Sequence, residues 1–531
     1  MPNFPQGFKM KDWKDIAVKQ DALLYNFNAE GRFLPAIWWD SSYTNFPERA
    51  FGLPSYIGSL RGKGSDYESL PVMGSIIGAT LAGIDKSNVN GIDFVRTCKQ
   101  FYNKKNGEGL VLNSVDRKTG NSFWYDIFPG IAFAMIVDKY PEEKKLKEIM
   151  QWNAAKWIEA IKNLSQDGYS DFNYTAYDFQ THKGIFNRKW HEPDAAAGLA
   201  WIEFAAWKSF GDSSYYKAFK SCMDFLQLRK AKEGPYYELL MPYGAYLSVR
   251  SNAEYGTHYD ELKMLNWCFD GNNSDRDGWG VITGKWNGRG VDGLVGQKKY
   301  EQYAFAMNTF SQAAALVPIV KYNAAYARTI GKWVLNMANS CRLFYADEHP
   351  KNRQSSSLWQ GDPQHVICYE GLRKDLDHGN NFKVFKGILS DEGPYAIGDQ
   401  VKNQTAFTDI CPYGSAWVGI LAGIIDTTNV RGILKLNCNA TDFFSDNQFP
   451  SFLLYNPYKE RKTVAISVGK EDINIYDKVT KSFIKRNVHG NVPVTLQRDN
   501  AVCLVLIPAS MRTYINGNKL KADNHVIDYL Y

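Results

Sequence analysis

Apolar residues recur at helical spacing along most of the chain up to about residue 425, and they form two kinds of segment. In segments 142–164 and 324–338 the apolar positions fall on one face of a helix, and polar residues occupy the other face. This pattern predicts amphipathic helices that cover a core from one side.

The second kind of segment is apolar on nearly every side. Segments 193–207, 303–320 and 416–425 offer almost no polar face. A helix that is apolar all round must be buried all round, so we expect an inner ring of such helices inside an outer ring of amphipathic ones. The predicted fold is therefore mainly α, with an (α/α) toroid over residues 1–428.

The pattern changes to period two after about residue 430. Within 462–468, apolar Val464, Ile466 and Val468 alternate with other residues, and similar runs follow towards the end of the chain. Asn516-Gly517, between two short apolar runs, is a strong hairpin signal. We therefore predict a small antiparallel β-sandwich domain over residues 429–531.

Three long segments between the predicted helices are rich in aromatic residues: 167–190, 270–297 and 345–408. Loops longer than about 12–15 residues are usually either functional or disordered. Their aromatic content argues against disorder, so these loops are expected to carry the function.

The net charge and the positions of the cysteines argue against nucleic acid and metal ions as ligands. A net charge of +6 over 531 residues, without a long basic run, lacks the clustered basic face of nucleic-acid binders. The eight cysteines are scattered without CxxC spacing, which predicts buried free thiols and no metal site. No cofactor motif is present, and no run of about 18 apolar residues predicts a membrane span.

The N-terminal residues 1–13 lack the charged-then-apolar layout of a signal peptide. We expect a protein that stays in the cytoplasm, or a mature periplasmic or secreted form whose signal has been removed. The sequence leaves the oligomeric state open.

Flat rings stand next to carboxylates in four of the loop-like breaks. The pairs are Trp38-Trp39-Asp40, Trp124-Tyr125-Asp126, Trp190-His191-Glu192 and Asp277-Gly278-Trp279. A sugar needs this combination, because its C–H face stacks on an aromatic ring and carboxylates move the protons at a glycosidic bond. The pairs favour a carbohydrate-active enzyme that acts on an oligo- or polysaccharide.

The whole layout resembles the (α/α) toroid glycoside hydrolases and polysaccharide lyases, which carry helical hairpins followed by a C-terminal β domain. The segments that carry the resemblance are 190–198 (WHEPDAAAG), 252–256 (NAEYG) and 454–457 (LYNP). The resemblance implies a toroid of the six-hairpin type. It also implies an active-site cleft at one end of the toroid, formed by the loops between helices.

Several acids are candidates for proton transfer in a hydrolase: Asp40, Asp126, Glu192 and Asp194. The apolar surroundings of Asp126 predict a raised pKa, as a general acid requires near neutral pH. Each of these acids also has a structural interpretation, since Asp40 can cap a turn and the acids of 192–194 can complement a helix dipole.

The polar cluster 252–261 provides a second catalytic possibility, with Tyr255 and His258 as the base and acid of a lyase. Arg250 and Asn252 would then neutralise a uronate carboxylate. Asp260 is either a third catalytic acid or, through its spacing from Thr257, a helix cap.

The remaining candidates are aromatic and polar loop residues expected to bind the substrate: Trp38, Trp39, Trp124, Tyr125, Trp190, His191, Glu254, Trp279, Arg289, Asp362, His365 and Tyr413.

Four functions remain open from the sequence. A glycoside hydrolase is the leading one, possibly on a substrate that contains uronic acid. The alternatives are a polysaccharide lyase, a sugar epimerase and a non-catalytic glycan-binding or scaffold protein.

Overall fold

A helical part that forms most of the chain is followed by antiparallel β-sheets at the C-terminal end. The computed structural model describes residues 1–60, 64–166, 169–270, 278–357, 359–378, 382–446 and 448–530. This arrangement confirms the predicted order of a mainly helical part and a C-terminal β part. Asp277 of the fourth ring–acid pair lies outside the described residues.

The helices among the described residues are α1 Trp13–Leu24, α2 Ser69–Leu81, α3 Phe94–Thr97, α4 Phe123–Lys139, α5 Lys144–Asn163, α6 Ala195–Phe210, α7 Ser213–Leu228, α8 Met241–Tyr255, α9 Glu261–Asp270, α10 Ala306–Leu316, α11 Ala327–Ser340, α12 Pro412–Ser415 and α13 Gly419–Ile424.

Six helices form an inner set, and their contacts follow a closed order. α2 contacts α4, and the sequence continues through α6, α8 and α10 to α13, which contacts α2 again. These helices are buried along most of their length, as their apolar composition requires. The amphipathic helices α5, α7, α9 and α11 pack against this inner set with one buried face each.

Glycines close the contact between the first and the last inner helices. A Cβ atom added to Gly419, at the start of α13, would lie 2.0 Å from the carbonyl oxygen of Gly78 in α2. A Cβ added to Gly74, one turn earlier in α2, would lie 2.7 Å from the Trp417 ring. The backbones can approach this closely only because both positions of α2 and Gly419 lack side chains.

The strands among the described residues are β1 Trp38–Asp40, β2 Ala50–Gly52, β3 Ser165–Gln166, β4 Tyr169–Ser170, β5 Ala176–Asp178, β6 Lys183–Ile185, β7 Trp279–Val281, β8 Lys285–Trp286, β9 Arg289–Gly290, β10 Val295–Gln297, β11 Tyr303–Phe305, β12 Gly371–Arg373, β13 Tyr395–Ile397, β14 Ile425–Thr427, β15 Leu434–Asn437, β16 Ser451–Asn456, β17 Lys462–Ser467, β18 Ile473–Asp477, β19 Ser482–Val488, β20 Asn491–Leu496, β21 Asn500–Pro508, β22 Thr513–Asn516, β23 Lys519–Ala522 and β24 His525–Tyr529.

The C-terminal strands form three antiparallel sheets. A six-stranded sheet has the order β14-β15-β16-β21-β18-β19, and β17 pairs with β20 beside it. Buried side chains of both sheets, such as Val464 of β17 and Leu504 of β21, belong to one apolar cluster. The predicted hairpin pairs β22 with β23, and Asn516 faces Lys519 across its two-residue turn.

A five-stranded antiparallel sheet, β13-β12-β11-β10-β7, lies within the helical part. From the sequence, most of these segments are predicted to be loops. Each strand has only three residues, which is too short to show an alternation of apolar and polar positions. The sheet matters because Trp279 and Phe305 belong to it and Glu370 directly precedes one of its strands.

A buried polar network joins the helical part to the segment before β16. Asp442 is fully buried and accepts hydrogen bonds from Tyr246 (2.7 Å), Tyr322 (3.0 Å) and Ser445 (2.6 Å), and it pairs with Lys321. All four partners satisfy the same carboxylate, so the network fixes this segment against the helices.

Arg250 of α8, also fully buried, strengthens the same junction. Its guanidinium donates to the carbonyl oxygens of Phe443 (2.9 Å) and Phe444 (2.7 Å) and pairs with Glu254 at 3.1 Å.

Glu203 is an exception in the apolar interior of α6. Its side chain is fully buried, and neither carboxyl oxygen has a hydrogen-bond partner among the described residues. Burial raises the pKa of Glu203 well above its ordinary value. The folded protein therefore keeps this group protonated at a pH where the unfolded chain would release the proton.

Replacing Glu203 by methionine is expected to raise the free energy of unfolding by about 1–3 kcal/mol, because it removes a buried group without a partner. The wild type should lose stability as the pH rises above about 4.3, the pKa of an unfolded glutamate, and the Glu203→Met variant should lose less. Urea unfolding at several pH values measures both effects. Glu148→Met on the exposed side of α5 is the matched control, and equal responses of the two variants would contradict the expectation.

Among the described residues, no helix is both long and apolar enough to cross a membrane.

Candidate active site

The amino ends of inner helices surround one cavity of about 710 Å³. Residues at or just before the starts of α2, α4, α8, α10 and α12 line it. Helix amino ends carry partial positive charge, so this end of the helical part favours negatively charged groups. The cavity therefore combines a shape suited to a small ligand with helix ends that can stabilise acidic side chains of the protein in its wall.

Aromatic rings form much of the wall. The rings of Trp124 and Tyr125, at the start of α4, lie 3.7 Å apart between centroids. Across the α10 side, Trp279 stacks on Phe305 with centroids 5.5 Å apart and planes 18° apart. Tyr413 of α12 lines the cavity as well. Of these rings, Tyr125 and Phe305 are partly exposed, and an exposed ring face suits the apolar side of a sugar ring.

Among the described residues, the charged groups of the wall are almost all acids. The guanidinium of Arg117 lines the cavity together with seven carboxyl groups, those of Asp66, Glu68, Asp116, Glu238, Glu301, Glu370 and Asp399. These acids can accept hydrogen bonds from sugar hydroxyls, and their negative charge attracts basic ligands and repels anions.

Glu68 stands directly before α2, where its carboxylate is fixed by neighbours. The Asn113 amide donates to it at 2.7 Å, and the Ser55 hydroxyl donates to its other oxygen. Two donors on two oxygens give this side chain one orientation.

Glu238 precedes α8 and has an unusual backbone conformation. Its φ angle is +59°, in the left-handed region that a residue with a side chain rarely adopts. The Asn308 side chain of α10 donates to its carboxylate at 3.1 Å and to its backbone carbonyl at 2.9 Å. Strained backbone of this kind concentrates at functional sites.

Glu370 precedes β12 and accepts three hydrogen bonds of 2.9 Å, from the hydroxyls of Tyr56 and Tyr303 and from the backbone N–H of Asp399. Burial and the nearby negative charge of Asp399 raise the pKa of Glu370 to about 8, although the hydrogen bonds oppose the shift. Glu370 is therefore protonated at neutral pH and has a proton to give.

Tyr125 lines the cavity together with Glu68, Glu238 and Glu370. Burial raises the pKa of Tyr125 above its ordinary value, and nearby acidic groups raise it further.

Of the predicted substrate-binding residues, four line the cavity: Trp124, Tyr125, Trp279 and Tyr413. The other predicted rings have other neighbours. Trp39 stacks on Phe27 at 4.9 Å, and His191 stacks on Phe186 at 4.2 Å.

Four predicted catalytic acids lie one layer behind the cavity, each bonded to a residue of the wall or its neighbour. Asp40 accepts from the Tyr67 hydroxyl at 3.0 Å. Asp126 pairs with Arg117 at 3.4 Å, and burial raises the pKa of Asp126 to about 7 despite that pair. In these positions the acids orient the lining side chains.

Glu192 and Asp194 accept hydrogen bonds from residues in the cavity wall or next to it. Glu192 accepts from the backbone N–H of Trp124 at 3.2 Å and from the Trp190 indole at 3.2 Å, and burial raises its pKa to about 7. Asp194 accepts from the backbone N–H of Tyr237 at 3.0 Å, directly before Glu238.

The predicted lyase residues Tyr255 and His258, and the candidate acid Asp260, lie at or after the carboxyl end of α8. Glu238 lines the cavity at the other end of this helix, and 15 helical residues span about 22 Å. Asp260 accepts from the backbone N–H of Lys263 near the start of α9.

The other predicted polar residues are bonded elsewhere in the structure. Glu254 pairs with Arg250, Arg289 donates to the Glu348 carbonyl at 2.6 Å, and Asp362 accepts from the backbone N–H of Ile367 at 2.8 Å. Trp38 donates to the Gly64 carbonyl, and His365 has a left-handed backbone with φ +49°.

Four glutamates that line the cavity share a sequence pattern that differs from the ring–acid pairs described above. Tyrosine directly precedes glutamate at four places in the chain, and all four glutamates line the cavity: Glu68, Glu238, Glu301 and Glu370. The four ring–acid pairs all contain tryptophan and include none of these Tyr-Glu pairs. Tyrosine directly followed by glutamate is the sequence pattern that marks these four residues.

No protein-family model and no curated protein matches the sequence. Solved structures of glycoside hydrolases show limited similarity. A family 76 glycoside hydrolase from a bovine Bacteroides thetaiotaomicron strain is 10% identical, with 78% of this chain and 77% of that chain covered and a TM-score of 0.43.

Two further structures show lower TM-scores. A β-L-arabinofuranosidase from Geobacillus stearothermophilus T6 is 9% identical, with 98% and 85% covered and a TM-score of 0.35. An endoglucanase from Clostridium thermocellum, complexed with cellobiose and cellotriose, is 13% identical, with 94% and 89% covered and a TM-score of 0.34. Similarity at these values does not support a function for this chain.

Proposed function

We propose that this protein is a glycoside hydrolase whose active site is the cavity at the amino ends of the inner helices. The observation that carries the proposal is that Glu68, Glu238 and Glu370 line one cavity together with the partly exposed rings of Tyr125 and Phe305. Hydrolysis of a glycosidic bond needs a protonated and an ionised carboxyl group on either side of the bond.

Glu370 takes the role of proton donor to the leaving oxygen. Its pKa of about 8 keeps it protonated at neutral pH, and hydrogen bonds from Tyr56 and Tyr303 fix its position. A general acid with a pKa near the working pH transfers its proton most effectively.

Glu238 takes the role of the second carboxylate, which activates water or attacks the sugar directly. The Asn308 amide holds it, and its left-handed backbone is a local cost that the site retains. Glu68, with donors on both oxygens, is assigned to binding sugar hydroxyls.

The charge of the wall supports hydrolysis over elimination. A lyase must neutralise the uronate carboxylate of its substrate, whereas the part of this wall that the structure describes has seven carboxyl groups and one guanidinium. A uronate would meet repulsion there, so we assign neutral or basic sugars as the substrate class in place of uronic acids.

The closed order of contacts among the inner helices supports a six-hairpin toroid for residues 1–428, with a separate β domain in residues 429–531. In such a toroid the loops at one end surround the active site, and the cavity lies at such an end.

A panel of oligo- and polysaccharides tests the proposed function. We expect new reducing ends from neutral substrates, without the absorbance near 235 nm that an unsaturated lyase product would give. Appearance of that absorbance would replace hydrolysis by elimination. Binding of a glycan in calorimetry without any cleavage would instead favour a non-catalytic glycan-binding protein.

A further inference from the structure

Two phenylalanine rings stack on the surface beside the cavity. The rings of Phe33 and Phe407 have centroids 5.4 Å apart and planes 20° apart. Phe407 is 58% exposed. The Arg32 guanidinium lies 4.7 Å from the Phe33 ring centre and 6.0 Å from that of Phe407. We call Arg32, Phe33 and Phe407 the outer platform.

The outer platform is bonded to the rim of the cavity. Phe407 donates its backbone N–H to the carbonyl of Gly58 at 3.0 Å, next to Ser59, and Leu60 donates to Thr405 at 3.1 Å. Ser59 and Thr405 both line the cavity. The platform is therefore continuous with the proposed active site.

The backbone of Phe33 is held in an unfavourable conformation. Its φ is +70°, which a bulky residue rarely adopts. A Cβ atom on Gly58 would lie 3.0 Å from the Phe33 ring, so the ring rests directly on the rim. The Trp359 indole donates to the Arg32 carbonyl at 3.1 Å and fixes the preceding residue. The fold thus maintains strain to keep this ring in place.

We propose that the outer platform binds sugar units of the substrate that extend out of the cavity, which makes the enzyme select longer chains. The inference rests on the proposed function and names a further part of the same site. A sugar ring requires one open aromatic face, which Phe407 provides, and a hydroxyl donor or acceptor close by, which Arg32 can bond.

A second copy of the chain fits the outer platform less well than a sugar does. The exposed apolar side chains at this place are Phe407 and Leu60, with Phe33 partly exposed. A stable protein interface buries about 800 Å² on each partner, which is far more than these few side chains offer. A sugar needs much less area.

The test uses the full-length protein and neutral gluco-, manno-, xylo- and arabino-oligosaccharides of increasing length. Phe407→Ala is expected to lower kcat/KM about tenfold for chains that reach past the cavity and to leave the shortest cleaved chain unchanged. Phe407→Trp keeps an aromatic ring at this position and should retain the preference for longer chains. Tyr169→Ala removes an exposed ring in β4, which does not line the cavity, and serves as the control.

The outcomes separate the platform from the catalytic proposal. If the wild type cleaves these chains and Phe407→Ala shows the same length dependence, the outer platform does not bind the substrate, and the proposal of a hydrolase is unaffected. If nothing is cleaved, calorimetry with the same oligosaccharides decides. Tighter binding of longer chains that Phe407→Ala abolishes supports the platform, and length-independent or absent binding overturns it. A change from dimer to monomer in Phe407→Ala, with unchanged length dependence, overturns it in favour of a second copy.

Discussion

Replacing Glu370 by glutamine is expected to lower kcat by about 10²-fold or more, because the amide keeps the shape of the side chain but has no acidic proton to transfer. The variant should fold normally, since the amide oxygen can accept the hydrogen bonds of Tyr303 and of the Asp399 backbone N–H, while the amide NH2 can donate to the hydroxyl oxygen of Tyr56. Initial rates of reducing-end release on the best substrate of the panel measure the effect.

The pH dependence provides a second measurement of the same role. A general acid works in its protonated form, and burial and Asp399 raise the pKa of Glu370 to about 8. The rate of the wild type should therefore fall as the pH rises through about 8. Glu392→Gln, on an exposed side chain, is the control and should keep the wild-type rate and profile.

Variants at the other glutamates identify the partner of Glu370. Glu238→Gln should lose a similar factor in kcat, whereas Glu68→Gln should mainly raise KM. A wild-type rate in Glu370→Gln, or a loss of kcat confined to Glu68→Gln, would show that the roles are assigned to the wrong carboxylates.

The second large effect concerns stability. Asp442→Ala is expected to lower the free energy of unfolding by about 3–5 kcal/mol, because it leaves Lys321 and the hydroxyls of Tyr246 and Tyr322 around a missing charge. Urea unfolding followed by fluorescence measures this loss. Asp426→Ala removes a surface carboxylate paired with Lys435 at 2.8 Å and should cost at most about 1 kcal/mol.

The pH dependence of this contribution has a definite sign. Burial alone would raise the pKa of Asp442, but the charges of Lys321 and Arg250 and hydrogen bonds outweigh it, and the pKa lies below its ordinary value. The contribution is therefore present above about pH 3.9, the pKa of an unfolded aspartate, and is lost as the pH falls through the lower folded value. Equal losses in the Asp442 and Asp426 variants at neutral pH would contradict the central role of this network.

Much of the helical layout could be predicted because apolar patterns are long. The apolar segment 193–207 corresponds to α6, Ala195–Phe210, and the amphipathic segment 142–164 corresponds to α5, Lys144–Asn163. Segment 303–320 was only partly predicted. It begins with β11 before α10, because Tyr303 and Phe305 pair with β12 through contacts that are distant in sequence.

The candidate site was harder to predict. The family resemblance implied an active-site cleft at one end of the toroid, and the ring–acid pairs provided candidate residues, of which Trp124 and Trp279 line the cavity. It could not tell which acids face inward, because that depends on where each helix starts relative to its neighbours. Asp126 lies inside α4 behind the wall, whereas Glu68 and Glu238 stand just before their helices and reach the cavity.

The glycine contact between α2 and α13 has a consequence during synthesis. Gly419 leaves the ribosome about 340 residues after Gly78, which takes roughly 20–70 s at common translation rates. During that time the apolar face of α2 that contacts α13 in the folded protein has no α13 to pack against. The newborn protein should therefore depend on chaperones until its last inner helix emerges, and alanine at Gly419 should reduce the soluble yield in cells.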